Sequence, residues 1–220
     1  MNIFEKFIYQ KPNSISPELC NTIIEYFEKE ENKYKGITAN GLNVEVKDTT
    51  DFFIPPESFF YNEDNEGHTE CSEDFAISKW SPICKILNEQ LQENINHYMR
   101  ELKNSPCFSS DNYRLLNVNY LTEDTYQIQK YIKGEGKYVY HNDFCVDWNR
   151  KQYRVITFLW YLNTIVEGGE TELLGEILVK PEVGKLLLFP ACWTFPHRGK
   201  MPISDNKYIV TGWFYINENE

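Results

Sequence analysis

A β-sandwich or jelly roll braced by helices is the fold class predicted here: mainly β, with an α+β character. Three observations carry that prediction. Two helical patterns occupy the first half of the chain. From Leu115 onward the texture changes to β-branched and aromatic runs. Turn signals then separate those runs, as they do in all-β domains.

The first helix starts at Ser16-Pro17-Glu18, which reads as an N-cap, a first-turn proline and an acidic second position. Leu19, Ile23, Ile24 and Phe27 follow at helical spacing. The charged run from Glu28 to Lys35 ends it near Gly36 and reads as a solvated face. Between residues 36 and 75, Val44-Glu45-Val46 alternates like a strand, and Phe52-Phe53-Ile54 before Pro55-Pro56 is a buried end. Tyr61 to Ser72 is polar, acidic and glycine-containing, a loop with His68 as a surface histidine. A second helix starts at Ser81-Pro82, again read as a cap before proline, and ends before Pro106. Its buried stripe is Ile83, Leu87, Leu91, Ile95, Tyr98 and Leu102, with His97 beside the stripe as a structural or exposed residue.

Strands are expected at Leu115–Leu121, Tyr126–Ile132, Arg154–Leu162, Gly184–Phe189 and Lys207–Ile216. Turns fall at Lys133-Gly134-Glu135-Gly136, Glu167-Gly168-Gly169 and Met201-Pro202. No repeat or long linker interrupts this order. Residues 1–110 therefore read as a helical bracing region and 111–220 as the β core, packed together as one structural domain.

Composition bounds the partners. A hydrophobic share of 41% with 15% aromatics supplies a sizeable core. A net charge of −11 argues against a protein that tracks phosphates, so no nucleic-acid partner is expected. No uncharged apolar stretch approaches membrane-spanning length, and no membrane contact is expected. Met1 to Lys6 lacks the apolar run of a signal peptide, which leads to the expectation of a cytoplasmic protein. The six cysteines are scattered without a Cys-x-x-Cys pair, consistent with reduced thiols rather than a zinc–thiolate site.

The chemistry concentrates in Tyr138-Val139-Tyr140-His141-Asn142-Asp143. If that stretch is extended, His141 and Asp143 project from one face and can offer an imidazole nitrogen and a carboxylate oxygen to one metal ion. His197 follows the hydrophobic strand Lys185 to Pro190 and is the natural third ligand. Two histidines and one carboxylate make the facial triad of non-haem Fe(II) oxygenases, with coordination positions left open. The same donors can hold zinc and activate water, so a zinc-dependent hydrolase stays open at this point, as does a non-catalytic jelly-roll binding module.

The order of the remaining pieces narrows the choice. Gln129 to Tyr138 precedes His141-x-Asp143, and Arg154 to Asn163 follows it. Gly168-Gly169-Glu170-Thr171, Pro181, Gly184 to Pro190, His197-Arg198-Gly199, Pro202 and Lys207 to Trp213 come after. From about Gln127 to Trp213 the chain resembles the Fe(II)- and 2-oxoglutarate-dependent dioxygenases, in particular the prolyl 4-hydroxylase-like group; the first 110 residues resemble it less sharply. The resemblance implies a double-stranded β-helix (jelly roll) core and an iron held by His141, Asp143 and His197. It implies 2-oxoglutarate as cosubstrate beside O2, with L-ascorbate to rescue oxidised iron. Lys207 matches the cation for the distal carboxylate. Tyr131 and Tyr161 match residues that hydrogen-bond the cosubstrate, and Thr157 lines its pocket. Asp143 separates the chain from halogenases, which carry a small residue there.

Tyr138, Arg154 and Trp213 match positions that approach the peptidyl substrate, so the expected partner is a proline-containing peptide or protein. The expected reaction is prolyl hydroxylation coupled to conversion of 2-oxoglutarate to succinate and CO2. The group often has a histidine two residues after that tryptophan, where this chain has Tyr215. That departure leaves the metal chemistry alone and opens the substrate to another peptide residue, a free amino acid or a small molecule. A hydrolase would leave Lys207 and the tyrosines without a task. Tyr140 and Trp148 either wall the site or only pack, and segments 61–73 and 144–153 read as lids. Gly168 to Thr171 reads as a structural turn with no catalytic step.

Overall fold

The computed structural model describes residues 3–54, 61–63, 69–71, 79–104, 121–123, 125–149 and 151–217. After a 3-10 turn at Ile3–Phe7 comes β1 (Tyr9–Lys11), then helix α1 (Pro17–Lys29). Ser16 caps α1 by accepting the Leu19 N–H at 3.2 Å on its hydroxyl oxygen. Strands β2 (Tyr34–Lys35), β3 (Lys47–Asp48) and β4 (Thr50–Phe53) lead to helix α2 (Ser81–Lys103). The rest is β: β5 (Gln127–Tyr131), β6 (Lys137–His141), β7 (Gln152–Tyr161), β8 (Thr171–Leu173), β9 (Ile177–Val179), β10 (Leu186–Pro190), β11 (His197–Gly199) and β12 (Lys207–Asn217).

Two antiparallel sheets face each other, the two halves of a double-stranded β-helix. The major sheet runs β1-β10-β7-β12-β5-β4-β2, and the minor sheet β9-β8-β11-β6-β3. Strands from the first third of the chain therefore sit on both edges of the β core. Period-two alternation sorts the major sheet into two faces. Ile128, Ile156, Phe158, Trp160, Leu186, Leu188, Val210 and Phe214 point to the core shared with the helices. From α1 that core receives Cys20, Ile23 and Phe27; from α2 it receives the whole stripe from Ile83 to Leu102. The opposite face carries Tyr131, Leu159, Tyr161, Leu187, Phe189 and Ile209 against Leu173 and Val179 of the minor sheet. The functional cavity opens within this second layer.

Helices and main strands fall where periodicity puts them, and the differences have local causes. Val44-Glu45-Val46 is a turn, not a strand. The Asn43 side chain accepts the Glu45 N–H, and its carbonyl accepts those of Val46 and Lys47, so the backbone curls where the alternation of valines suggested extension. Helix α2 has Trp80, not Ser81, at its N-cap, without a side-chain capping bond. Tyr61–Glu63 and Thr69–Cys71, expected within a loop, pair as an antiparallel ribbon. His68 and most of the Leu115–Leu121 strand lie outside the described residues. Among the described residues Cys20, Cys145 and Cys192 are free thiols, and no helix is long and apolar enough to cross a membrane.

Candidate active site

His141 and His197 are brought together by sheet register. Strands β6 and β11 pair antiparallel with His141 directly opposite His197, and an extra β6 residue is absorbed between there and the Tyr138–Gly199 pair. Directly opposed residues hold their Cβ atoms about 5 Å apart. Strand β6 stops at His141. Asp143 is in the following loop, where Asn142 Oδ1 accepts the Phe144 N–H, so strict strand alternation does not extend through the tripeptide. The carboxylate nonetheless reaches both rings: Oδ1 is 3.6 Å from His141 Nε2 and Oδ2 is 3.4 Å from His197 Nε2. One ligand atom from each of the three residues lies within 4.8 Å of the others.

The donor chemistry fits a divalent metal. His141 Nδ1 lies 2.8 Å from the Val139 carbonyl and His197 Nδ1 lies 3.3 Å from that of Phe195. A carbonyl partner requires the N–H at Nδ1, which leaves the Nε2 lone pairs aimed at Asp143. Tyr138 stacks on His141 at 3.5 Å, and Phe189 meets His197 edge-on at 4.7 Å. Burial, with the His197 charge, pushes the His141 imidazole down to about 4. For Asp143 burial acts upward, but His197, His141 and the Thr157 hydroxyl outweigh it and hold the carboxyl below its usual range. Neutral imidazole beside ionised carboxylate at pH 7 is the state that binds metal.

Thr157 therefore does more than line the pocket: its Oγ1 donates to Asp143 Oδ2 at 2.7 Å. Thr157, Leu159 and Arg154 all face the cavity, although Arg154 has the wrong parity for a regular strand. A register shift against β12 between Arg154 and Ile156 turns it inward. There its guanidinium lies 3.8 Å from the Trp213 ring, and its Nε donates to the Tyr215 hydroxyl at 3.0 Å. Tyr138 and Trp213 also line the cavity.

At the inner end, Lys207, Ile209, Thr211 and Trp213 of β12 line the same cavity of about 420 Å³ by simple alternation. Lys207 is 1% exposed. Its ammonium donates to the Gly169 carbonyl at 3.0 Å and lies 4.1 Å from the Tyr131 ring centroid. Among the described residues no carboxylate pairs with it, and burial pulls its pKa down to about 7 against a small opposing pull from Glu170. A buried ammonium of this kind suits a carboxylate ligand. Tyr161 is fully buried outside the cavity lining; its hydroxyl donates to Thr171 Oγ1 at 2.7 Å, and Thr171 does line the cavity.

Reading the sequence missed Thr171 and the Gly169 carbonyl. Gly168 and Gly169 both adopt φ +73°, the left-handed region that glycine enters without strain. That turn aims the Gly169 carbonyl at Lys207. Also missed were Lys47, Gln127 and Gln129, polar residues on the cavity wall. Phe144 and Cys145 line its mouth, whereas Trp148 is 80% exposed. Tyr140 faces the other way, against Glu172 and the Arg198 guanidinium.

Fold and site together define a class. Residues 126–215 match the family model of the 2OG-Fe(II) oxygenase superfamily, a stretch that holds His141, Asp143, His197 and Lys207. Residues 126–215 thus carry the match to a 2OG-Fe(II) oxygenase domain, and in fold the chain is of the prolyl 4-hydroxylase-like type.

Solved structures agree in architecture. The viral collagen prolyl hydroxylase from Paramecium Bursaria Chlorella virus-1, solved as a 2OG complex, is 17% identical with TM-score 0.58, covering 98% of this chain and 99% of that one. A prolyl hydroxylase from Trichoplax adhaerens, in complex with a hypoxia inducible factor peptide fragment, is 18% identical with TM-score 0.59, covering 97% and 85%. A Pseudomonas putida prolyl-4-hydroxylase is 15% identical with TM-score 0.55, covering 94% and 92%. At these identities the likeness is one of fold. No curated protein matches the sequence.

Proposed function

We propose that this chain hydroxylates a prolyl residue of a peptide or protein, using O2 and 2-oxoglutarate and releasing succinate and CO2. The observation that carries the reading is one cavity lined both by the His141–Asp143–His197 donor set and by the buried Lys207 ammonium. A hydrolase needs the first but has no use for the second.

In this reading His141, Asp143 and His197 hold Fe(II), with Thr157 fixing the carboxylate and the two backbone carbonyls fixing the imidazoles. Ferrous iron, kept reduced by L-ascorbate, supplies the redox chemistry that couples decarboxylation of 2-oxoglutarate to hydroxylation of an unactivated C–H bond. Lys207 binds the distal carboxylate. Thr171 can donate its own proton to that group, because its oxygen already accepts from Tyr161. Tyr131 walls the same end and supports the ammonium through its ring. Exclusion of water there strengthens the charge pair. Tyr138, Trp213 and the Arg154 guanidinium face the substrate side, suited to a flat uncharged ring and to a carbonyl oxygen next to it.

The test is aerobic incubation with Fe(II), 2-oxoglutarate, ascorbate and a panel of proline-rich peptides, scored by mass spectrometry. The expected result is a gain of one oxygen on a prolyl residue with equimolar succinate. Oxygen-dependent succinate with no peptide oxidised would move the substrate to another class. No succinate under any condition, with hydrolysis by the zinc-loaded protein, would overturn the oxygenase reading.

A further inference from the structure

One buried polar chain ends on Tyr131, and its other members have no part in the roles assigned so far. Lys47 Nζ donates to Asp51 Oδ2 at 2.7 Å, and Gln127 Nε2 donates to the same oxygen at 3.3 Å. Gln129 Nε2 donates to Gln127 Oε1 at 2.7 Å, and the Tyr131 hydroxyl donates to Gln129 Oε1 at 3.1 Å. Asp51 is 0% exposed, and Lys47, Gln127, Gln129 and Tyr131 are each 5% exposed or less. Burying two amides and an ion pair costs free energy unless every group is paired, and apolar side chains could pack the same strand face. The series runs from β4, contributed by the first third of the chain, across β5 to the inner end of the cavity.

Its direction is fixed from one end. Asp51 Oδ2 already accepts from the Lys47 ammonium, which can only donate, so Gln127 must turn its NH2 to that oxygen and its own oxygen to Gln129. Gln129 then turns its NH2 to Gln127 and its oxygen to Tyr131. The single Tyr131 proton is thereby committed to Gln129, and the ring is held by its tip. Its other contacts explain why that matters. One ring edge abuts Gly199, where an added Cβ would come within 3.0 Å of Tyr131 Cε1, and the ring supports the Lys207 ammonium at 4.1 Å. Apart from that ring, the Gly169 carbonyl is the one hydrogen-bond partner of the ammonium among the described residues.

We infer that Asp51, Gln127 and Gln129 are positioning residues for the cosubstrate: acting through Tyr131, they hold the Lys207 ammonium in the pose that receives a distal carboxylate. The inference rests on the proposal that 2-oxoglutarate binds at Lys207, and the experiment separates the two. Protein loaded with redox-silent Mn(II) is titrated with 2-oxoglutarate in a calorimeter, with folding checked by circular dichroism. Wild type binds and Lys207→Met loses at least about tenfold in affinity if the cosubstrate reading holds. No wild-type binding, or unchanged binding by Lys207→Met, would remove that reading itself.

Given that control, Gln129→Met is expected to weaken 2-oxoglutarate binding about fivefold to tenfold, the worth of one buried hydrogen bond, with Mn(II) affinity unchanged. In a Tyr131→Phe background, which has no hydroxyl to position, the same substitution is expected to add nothing. Should Gln129→Met fail to fold, Gln127→Met, one link further out, is expected to show a smaller loss with the same dependence on the Tyr131 hydroxyl. Wild-type affinity in the folded variant, or an undiminished effect in the Tyr131→Phe background, would reduce the chain to a structural tie between β4 and β5.

Discussion

The two ends of the cavity are built on opposite plans. The metal end rests on short minor-sheet strands and a loop, with the His141 and Asp143 side chains 15% and 11% exposed. There the charges answer one another: one carboxylate, two imidazoles, and hydrogen bonds that orient each. The inner end rests on β5 and the eleven-residue β12 of the major sheet and carries a buried ammonium with, among the described residues, only a carbonyl and a ring beside it. The metal end is thus electrostatically close to self-sufficient, while the inner end keeps a cost that an anionic ligand would offset. Damage at one end should therefore leave the other working.

The largest effect is expected at the metal end. Asp143→Ala removes the only anion of the donor set and should abolish Fe(II) binding at neutral pH, raising the dissociation constant more than about a hundredfold, beyond the usual range for an outer partner. Calorimetry with Mn(II) or Fe(II) reads this, and retained turnover would remove Asp143 from the site. Thr157→Val, which takes away only the hydroxyl that orients Asp143, should cost about tenfold in metal affinity.

Lys207→Met is the matching lesion at the inner end. It should raise the KM for 2-oxoglutarate about thirtyfold, as expected for a lost charge-assisted hydrogen bond, with metal affinity unchanged. The thermal midpoint of the ligand-free protein should not fall, because methionine fills the volume without burying a charge. A fall in metal affinity as large as the rise in KM would break the claim that the two ends are independent.

Acidity sharpens the contrast further. In the free protein Lys207 titrates at about 7, against 10.5 for an unburied lysine, because burial disfavours its charge. Between those values the unfolded chain binds more protons than the folded one, so ligand-free stability should rise as pH climbs from about 7 toward 10.5. Below 7 the burial penalty is present in full. A dicarboxylate needs the protonated form, so 2-oxoglutarate binding above pH 7 should take up close to one proton, and its affinity should decline there. Calorimetric titrations in buffers of different ionisation enthalpy measure the uptake; none at pH 8 would mean that Lys207 stays charged without its ligand.

How much of this was legible in the sequence follows from the same contrast. Alternation alone puts Lys207, Ile209, Thr211 and Trp213 on one wall, and the family pattern names His141, Asp143 and His197. What could not be read depended on irregular backbone or on distant register. The resemblance put Arg154 on the substrate side, but its inward turn needs a bulge that alternation does not show, since residues 154 and 157 have opposite parity in any regular strand. The polar chain exists because Ile128 pairs with Phe52 and Gln129 with Asp51, a register set by the whole sheet. Gly168-Gly169 looked purely structural because its contribution is a carbonyl, which no residue type advertises.

The smallest expected effect concerns Tyr215, the residue that departs from the prolyl hydroxylase pattern. Its hydroxyl accepts from Arg154 Nε, while the guanidinium lies against the Trp213 ring. Those two contacts fix the plane of the fork beside the cavity that Arg154 lines, and among the described residues no carboxylate pairs with it. Tyr215→Phe keeps the ring and removes the hydroxyl to which Arg154 donates. Arg154 would still stack on Trp213 but could rotate about the stacking axis, so a substrate carbonyl would lose alignment rather than its whole partner. The KM for the peptide should rise about threefold to fivefold, within the range of one hydrogen bond. The KM for 2-oxoglutarate and the metal affinity should stay at wild-type values, because neither end of the cavity is touched. An equal rise in both KM values would mean that Tyr215 holds the sheet and not the guanidinium, and would tie the substrate side to the inner end instead of leaving it a third, separable part of the site.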